Sequence, residues 1–207
     1  SSAYHKSREW HRGLAAAQSA YDLAKQLGNY QTELIALLNM AACHTELGNW
    51  HVVEVLSLKL EEALTSSGDL IKLSQFKNNM GIAAFAQGHY YVAENAWQDA
   101  LRINSQVNQP IELARVYNNL GMVYTKLGEL ETATAMLQQA AAIFEDKGDM
   151  YNWANTLDNL AEVYELLEDE VKFRRTLNLA LSLLPPDSAE VHVQKLLSII
   201  NGRLIRN

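Results

Sequence analysis

Residues Leu113 to Ala140 read LARVYNNLGMVYTKLGELETATAMLQQA. Within them Tyr117, Leu120, Gly121 and Tyr124 fall at i, i+3, i+4 and i+7, one stripe of an α-helix. Leu127-Gly128-Glu129 breaks the run. A second helical pattern follows, with Ala133, Leu137 and Ala140 on one face. Two helices joined by so short a turn make a hairpin. Its apolar stripe is too wide to be covered from within, so the hairpin requires neighbours.

The neighbours are written at a fixed period. Counting in twenties from Gly128 in both directions gives Gly28, Gly48, Gly68, Gly88, Asn108, Gly128, Gly148 and Glu168. Six of these are Gly, out of only 10 Gly in 207 residues, so composition does not explain the spacing. Gly and Asn tolerate the left-handed backbone that closes a helix. The spacing leaves about 17 residues of helix and about three of turn, so a helix pair recurs about every 40 residues, the mark of a repeat array.

The spacing predicts one all-α solenoid spanning 1–207. It opens with a half repeat at 1–29, frayed over 1–7 and carrying an Ala-rich helix from Trp10 to Lys25. Helix pairs follow at 30–69, 70–109, 110–149 and 150–186, with Pro110 at a helix first turn, where its missing N–H costs nothing. Leu184-Pro185-Pro186 closes the last pair. A capping helix at 187–207 is expected to start from Asp187 or Ser188 with Glu190 completing a capping box. It carries Val191, Leu196, Ile199 and Ile200 on one side and Arg203 and Arg206 at its end.

Composition narrows the function. Apolar residues make up 48% and charged residues 20%, which suits a folded soluble protein. The three Pro lie at or beside turns of the grid. A net charge of −7 argues against nucleic acid as the main partner, which demands clustered Lys and Arg. Cys43 is the single cysteine, so an internal disulfide and a cysteine-based zinc site are excluded and a cytoplasmic location is expected. No apolar run is long enough to span a membrane, and the start has no signal-like segment. The opening Ser1-Ser2-Ala3 lacks an initiating Met and points to a piece of a longer protein.

Catalysis has no support in the residues. The six His are scattered, without the His-Glu-x-x-His spacing of a zinc helix. Each grid Gly is solitary and ends a helix, unlike a phosphate-binding loop, and no Ser nucleophile elbow occurs. Glu168-Asp169-Glu170 reads as a solvated charge run. His44 stands where an aromatic packs and reads as a core residue, while His51 and His89 flank turns and read as solvated. Trp50, Tyr90 and Tyr91 follow the turns and read as packing between hairpins. No cofactor, metal or enzyme activity is expected, and the oligomeric state is not set by the sequence.

The third pair resembles the tetratricopeptide repeat: an aromatic, Leu-Gly and Tyr on the first helix (Tyr117, Leu120, Gly121, Tyr124), then Ala, a large residue and Ala on the second (Ala133, Leu137, Ala140). The pair before it has Met80, Gly81, Ala93, Trp97 and Ala100, with Lys77 and Ala84 in place of the aromatics. The pair after has Leu157, Leu160, Ala161, Tyr164, Leu177, Ala180 and the terminal Pro185, with Phe173 where a small residue is usual. The pair at 30–69 departs furthest, with Leu37, Met40, Ala41, His44, Val53, Ser57 and Leu60. The resemblance covers about residues 10–185 and implies a right-handed superhelix. The long repeat is similar to that of kinesin light chains, signalling scaffolds, peptide-receptor regulators of Gram-positive bacteria and sensor segments of large bacterial transcription activators.

The resemblance also implies that the face opposite the core stripe of each first helix lines a concave groove. In register these faces read Ile35, Asn39, Ala42, Glu46; Gln75, Asn79, Ile82, Ala86; Arg115, Asn119, Met122, Lys126; and Asn155, Asn159, Glu162, Leu166. One row is the same residue throughout: Asn39, Asn79, Asn119 and Asn159. Asn is a mediocre helix former, so nothing local demands it. Its amide offers one donor and one acceptor group, the chemistry that grips a peptide bond. Packed helices stand about 8–10 Å apart, and an extended chain advances about 3.3 Å per residue, so the row would meet a bound peptide about every third residue. Asn78, Asn118 and Asp158 lie one residue earlier and widen the row. The alternative is that internal duplication copied the Asn, or that it bonds a neighbouring helix and serves the fold. Along the array the face runs from apolar Ile35 and Ile82, through basic Arg115 and Lys126, to acidic Asp158, Glu162 and Glu165. The expected function is a protein-interaction module for a peptide or partner segment. The alternative is a regulatory or sensor segment whose groove is filled by another part of the chain or by an effector.

Overall fold

A computed structural model describes residues 2–66 and 68–206, and the side chains of residues 8–66 and 68–205. Among these there are ten α-helices and no strand. They are α1 (Ser2–Gln26), α2 (Tyr30–Glu46), α3 (Trp50–Ser66), α4 (Leu70–Ala86), α5 (Tyr90–Asn104), α6 (Pro110–Leu127), α7 (Leu130–Lys147), α8 (Met150–Leu166), α9 (Glu170–Leu183) and α10 (Val191–Arg206). The chain divides into two compact units, Ser1–Ile103 and Asn104–Asn207. In each, consecutive helices pair as antiparallel hairpins, the all-α solenoid arrangement expected from the grid.

The grid is a backbone property. The eight residues with positive φ among the described ones are the eight grid positions, including Asn108 at 47° and Glu168 at 57°. At Gly128 (φ 80°) the following N–H, on Glu129, returns to the Tyr124 carbonyl at 2.9 Å, which satisfies a terminal carbonyl of α6. The residue after the left-handed position then opens the next helix. Asn29, Asp69, Asp149 and Asp169 each accept the N–H of the third residue beyond. A left-handed closer followed at once by an N-cap reverses the chain in three residues. Glu168 carries a Cβ in a conformation that costs an L-residue about 1 kcal/mol. Glu168→Gly is therefore expected to raise stability by about 0.5–1 kcal/mol, less than the full strain because Gly also frees the unfolded chain. An unchanged urea midpoint would show that the position stores no strain.

Several boundaries differ from the sequence reading. The α1 backbone is helical from Ser2, where the sequence reading starts the helix only at Trp10; Ser1 lies outside the described residues. No Gly or Pro breaks that stretch, and Ala3, Lys6, Arg8 and Glu9 are good helix formers. Helix α5 stops at Asn104, ahead of the Asn108-Gln109-Pro110 turn. Helix α10 buries Val193, Leu196, Leu197 and Ile200 at i, i+3, i+4 and i+7, while Val191 is 83% exposed and Ile199 is 42% exposed. The buried stripe is thus rotated from the expected one. Its start is held by the Ser188 hydroxyl accepting the Glu190 N–H at 3.2 Å, with the Gln194 amide donating back to the Pro186 and Ser188 carbonyls. The Glu190 capping box is not used. The side chain of Arg206 lies outside the described residues.

Hairpins close through small residues facing large ones. In the first unit Leu34, Leu37, Leu56, Leu60, Leu73 and Phe76 form one buried cluster. In the second, Ala114, Ala140 and Phe144 pack with Tyr117 and Trp153. Gly81 faces the Trp97 indole, and Gly121 faces Leu137. Lys77, in the aromatic's place, is buried with its ammonium 2.8 Å from Asp99 and 3.5 Å from Glu61. Of the turn aromatics, Trp50 meets His89 edge-on at 5.1 Å, and Tyr90 packs against Phe85 at 5.5 Å. Tyr91, expected to pack between hairpins, is exposed, because neighbours on a helix point about 100° apart and Tyr90 takes the inward place. His44 is half-buried, 3.2 Å from the Asn49 amide, and loss of water pushes its pKa down.

Candidate partner-binding face

The four Asn of the row occupy two different environments. In the first unit, Asn39 on α2 and Asn79 on α4 are exposed, and among the described residues neither has a hydrogen-bonding partner. Both line one cleft of about 390 Å³ between α2 and α4. Its apolar surface comes from Leu38, Ala42, Phe76, Met80 and Ala83. Its polar rim comes from Glu46, Lys72 and Gln75. Asn39 and Ala42 also border a second cleft of about 420 Å³ against α1, where Gly13, Ala16, Ala17 and Ala20 leave the space open. Asn39 thus stands on the ridge between two clefts. Ile35 and Ile82, 55% and 49% exposed, flank the same helices.

In the second unit the row is partly spent within the fold. Asn159 on α8 donates from Nδ2 to Asn118 Oδ1 on α6 at 2.9 Å, and Asn118 Nδ2 is 3.7 Å from Met122 Sδ. Asn119 is half-buried and has a partner of its own. Lys126 reaches across from α6 to Glu162 on α8 at 2.8 Å, so two bridges join these first helices on one face. Arg115 is exposed and 3.8 Å from Glu112, and Asn155 is half-buried. The residues one position earlier turn toward neighbouring helices. Asn118 and Asp158 are buried, and Asn78 is half-buried with its carbonyl accepting from Trp97 Nε1 at 3.2 Å.

The acidic end of the face has an occupant that the sequence reading did not place there. Arg203 of α10 lies 3.0 Å from Glu162 and 3.5 Å from Asp158. The signal was present but weak: an Arg on the last helix and surplus carboxylates at 158, 162 and 165. The α1 cleft was missed as well, although three Ala and a Gly on one side of α1 were a readable cue to a shallow helix surface.

The two carboxyls titrate in opposite senses. Burial pushes the Asp158 carboxyl above its usual value of 3.8, Arg203 opposes the rise, and Glu162 and Glu165 add to it. Glu162 is also raised by burial, but hydrogen bonds from Lys126 and Arg203 outweigh that and hold it below its usual 4.5. Glu162 therefore contributes stability that is present above pH 4.5 and is lost as pH falls through its lowered folded value. Asp158 contributes stability only at low pH, and that contribution is lost as pH rises through its raised folded value. Asp158→Asn is expected to raise the melting temperature at neutral pH, with the gain vanishing below pH 3.8. Glu162→Gln is expected to lower it at neutral pH, with the deficit vanishing on acidification. Melting curves across this range check both signs.

By class the chain is a helical-repeat solenoid. A tetratricopeptide repeat family model matches it twice, over residues 73–146 and 112–185, together more than half its length. The chain belongs to the tetratricopeptide repeat family. No curated protein sequence matches it. Among solved structures it is similar to BtubC (BKLC) from P. vanneervenii, at 17% identity over 95% of this chain and 89% of that one, with a TM-score of 0.67. It is similar to RapI in its apo form, at 15% identity over 99% of this chain and 60% of that one, TM-score 0.67. It is also similar to NprR in complex with its cognate peptide NprX, at 18% identity over 97% of this chain and 57% of that one, TM-score 0.59. At these identities the likeness is one of fold. Such repeats are generally non-catalytic protein-interaction scaffolds. Among the described residues no helix is long and apolar enough to cross a membrane, and no cluster of three His, Cys, Asp or Glu is placed to hold a metal.

Proposed function

We propose that this chain holds an extended segment of a partner protein or peptide along the α2–α4 face, with Asn39 and Asn79 bonding the segment's backbone. One observation carries the reading: two identical amides, exposed and unpartnered, lie on the same cleft beside Phe76 and Met80. A peptide bond presents one donor and one acceptor, and each Asn amide answers both. The apolar floor takes a side chain of the segment between these bonds. NprR, of like fold, was solved with a peptide bound.

The repeats at 30–69, 70–109, 110–149 and 150–186 are proposed to belong to one solenoid domain within a larger cytoplasmic protein. A second reading, a regulatory segment whose face is filled from within the chain, is favoured by Arg203 on Glu162.

Panning a random peptide library on the chain supplies a ligand for titration. Each neutral hydrogen bond is worth about 1 kcal/mol. The double variant N39A/N79A is therefore expected to lose about 2 kcal/mol, a weakening of about 30-fold. N159A, whose amide is spent on Asn118, is expected to leave affinity unchanged. Equal affinity of N39A/N79A and the native chain, with an intact fold, would remove the amides from the mechanism.

A further inference from the structure

The cleft against α1 stands where the repeat loses its large side chain. Counting in forties from Leu137, the second helices carry Leu177, Leu137, Trp97 and Ser57, and α1 carries Ala17. Leu177, Leu137 and Trp97 are fully buried, so this place in a pair ordinarily takes bulk. One turn earlier α1 has Gly13, where α3 has Val53 and α9 has Phe173. What the helix leaves out is a space of about 420 Å³. Its walls belong to α1 and α2, both within the first unit.

The lining says what the space takes. No residue that lines it is charged, and the polar groups that α2 turns to it are the Asn39 amide and the Cys43 thiol. The thiol is 6% exposed, free, and without a hydrogen-bonding partner among the described residues. Burial pushes its pKa up, so it stays neutral. Such a space takes a large apolar side chain and disfavours a charged one. An unbonded S–H is a weak donor that a ring face accepts, and Trp10 offers an aromatic neighbour, so a ring fits better than an aliphatic chain. Asn39 also joins this space to the α2–α4 cleft, because it lines both. The two clefts lie on opposite sides of α2. Helices pack about 8–10 Å apart and an extended chain advances about 3.3 Å per residue, so about three residues of a segment separate the two spaces.

We propose that the segment held at Asn39 and Asn79 carries an aromatic side chain that seats in the α1 cleft, over Cys43 and beside Trp10. It lies about three residues along the segment from the side chain that takes the floor of Phe76 and Met80. The proposal rests on the partner-binding reading of the α2–α4 face, and it names what the partner must carry. The ring supplies the bulk that Ala17 lacks, so the partner completes the packing of the first hairpin.

The test uses the full chain, labelled for nuclear magnetic resonance, and the probe acetyl-phenylalanine-amide. The Ala16, Ala17 and Ala20 methyl signals and the Cys43 signals are expected to shift in a saturable way, and acetyl-lysine-amide is expected to leave them in place. Ala17→Leu puts into the cleft the side chain that α7 and α9 carry at the same place, which the repeat accommodates. It is expected to weaken binding of the probe, and of the library-selected peptide, by roughly tenfold or more. Ala16→Leu, at an exposed position outside the core, is expected to do the same. Exchanging the peptide's aromatic residue for Ala is expected to lose as much in the native chain and nothing further in A17L. Unmoved α1 signals, equal binding of the lysine probe, or unchanged peptide affinity in both Leu variants would overturn the proposal. N39A/N79A is expected to bind the probe like the native chain while losing the library-selected peptide. A peptide kept by N39A/N79A but lost by A17L would remove the amides and leave this subsite standing, and the reverse pattern would remove the subsite alone.

Discussion

Gly121→Ala is expected to destabilise the second unit by about 3 kcal/mol, at the upper end of what overpacking costs. A Cβ at this position lands on Leu137 Cγ and 2.7 Å from Cδ2. Leu137 is fully buried in a close-packed interior, so relieving the clash requires α6 and α7 to part. Leu137→Ala alone is expected to cost about 2–5 kcal/mol through the cavity it leaves. The double variant should cost clearly less than the sum, because the new methyl enters space that the lost side chain vacated. Urea unfolding of the four proteins measures the coupling. Strictly additive losses would mean that the two positions do not meet.

Trp97→Ala is expected to cost about 3–5 kcal/mol, the range for removing a fully buried large aromatic. The indole is 1% exposed, lies against Gly81, and meets Phe85 at a centroid distance of 5.8 Å. Its Nε1 donates to the Asn78 carbonyl at 3.2 Å, so truncation also removes a hydrogen bond from the α4 backbone. Trp97→Phe keeps much of the volume and loses that bond, and is expected to cost about 1–2 kcal/mol. Equal losses in the two variants would assign the residue's contribution to the hydrogen bond and not to its bulk.

The repeat was legible because it is a local property written many times. A left-handed residue must close each helix, and Gly or Asn at seven of eight grid positions declares this. Glu168 declares nothing by its type; only its place in the period pointed to the same backbone. The apolar stripes located the core, but the α10 stripe was read off by two residues because Val191 and Ile199 are apolar and yet exposed. The face of the first helices was legible from the same period. The division of its Asn row was not. Whether an Asn is free depends on what stands across from it, and the Asn118–Asn159 bond joins residues far apart in the chain. Arg203 was hidden for a related reason. Its reach onto Asp158 and Glu162 depends on how α10 turns after Pro185-Pro186, which no residue periodicity encodes.

The central claim, that Asn39 and Asn79 hold a partner's backbone, is tested most directly by their side-chain amide resonances. In a ¹⁵N-labelled full chain titrated with a library-selected peptide, the account predicts that the Asn39 and Asn79 amide signals shift together in a saturable way. The Asn159 signal, held by Asn118, stays in place or shifts less. Saturable peptide binding with both signals unmoved, and shifts confined to the α3 and α5 side of the unit, would contradict it.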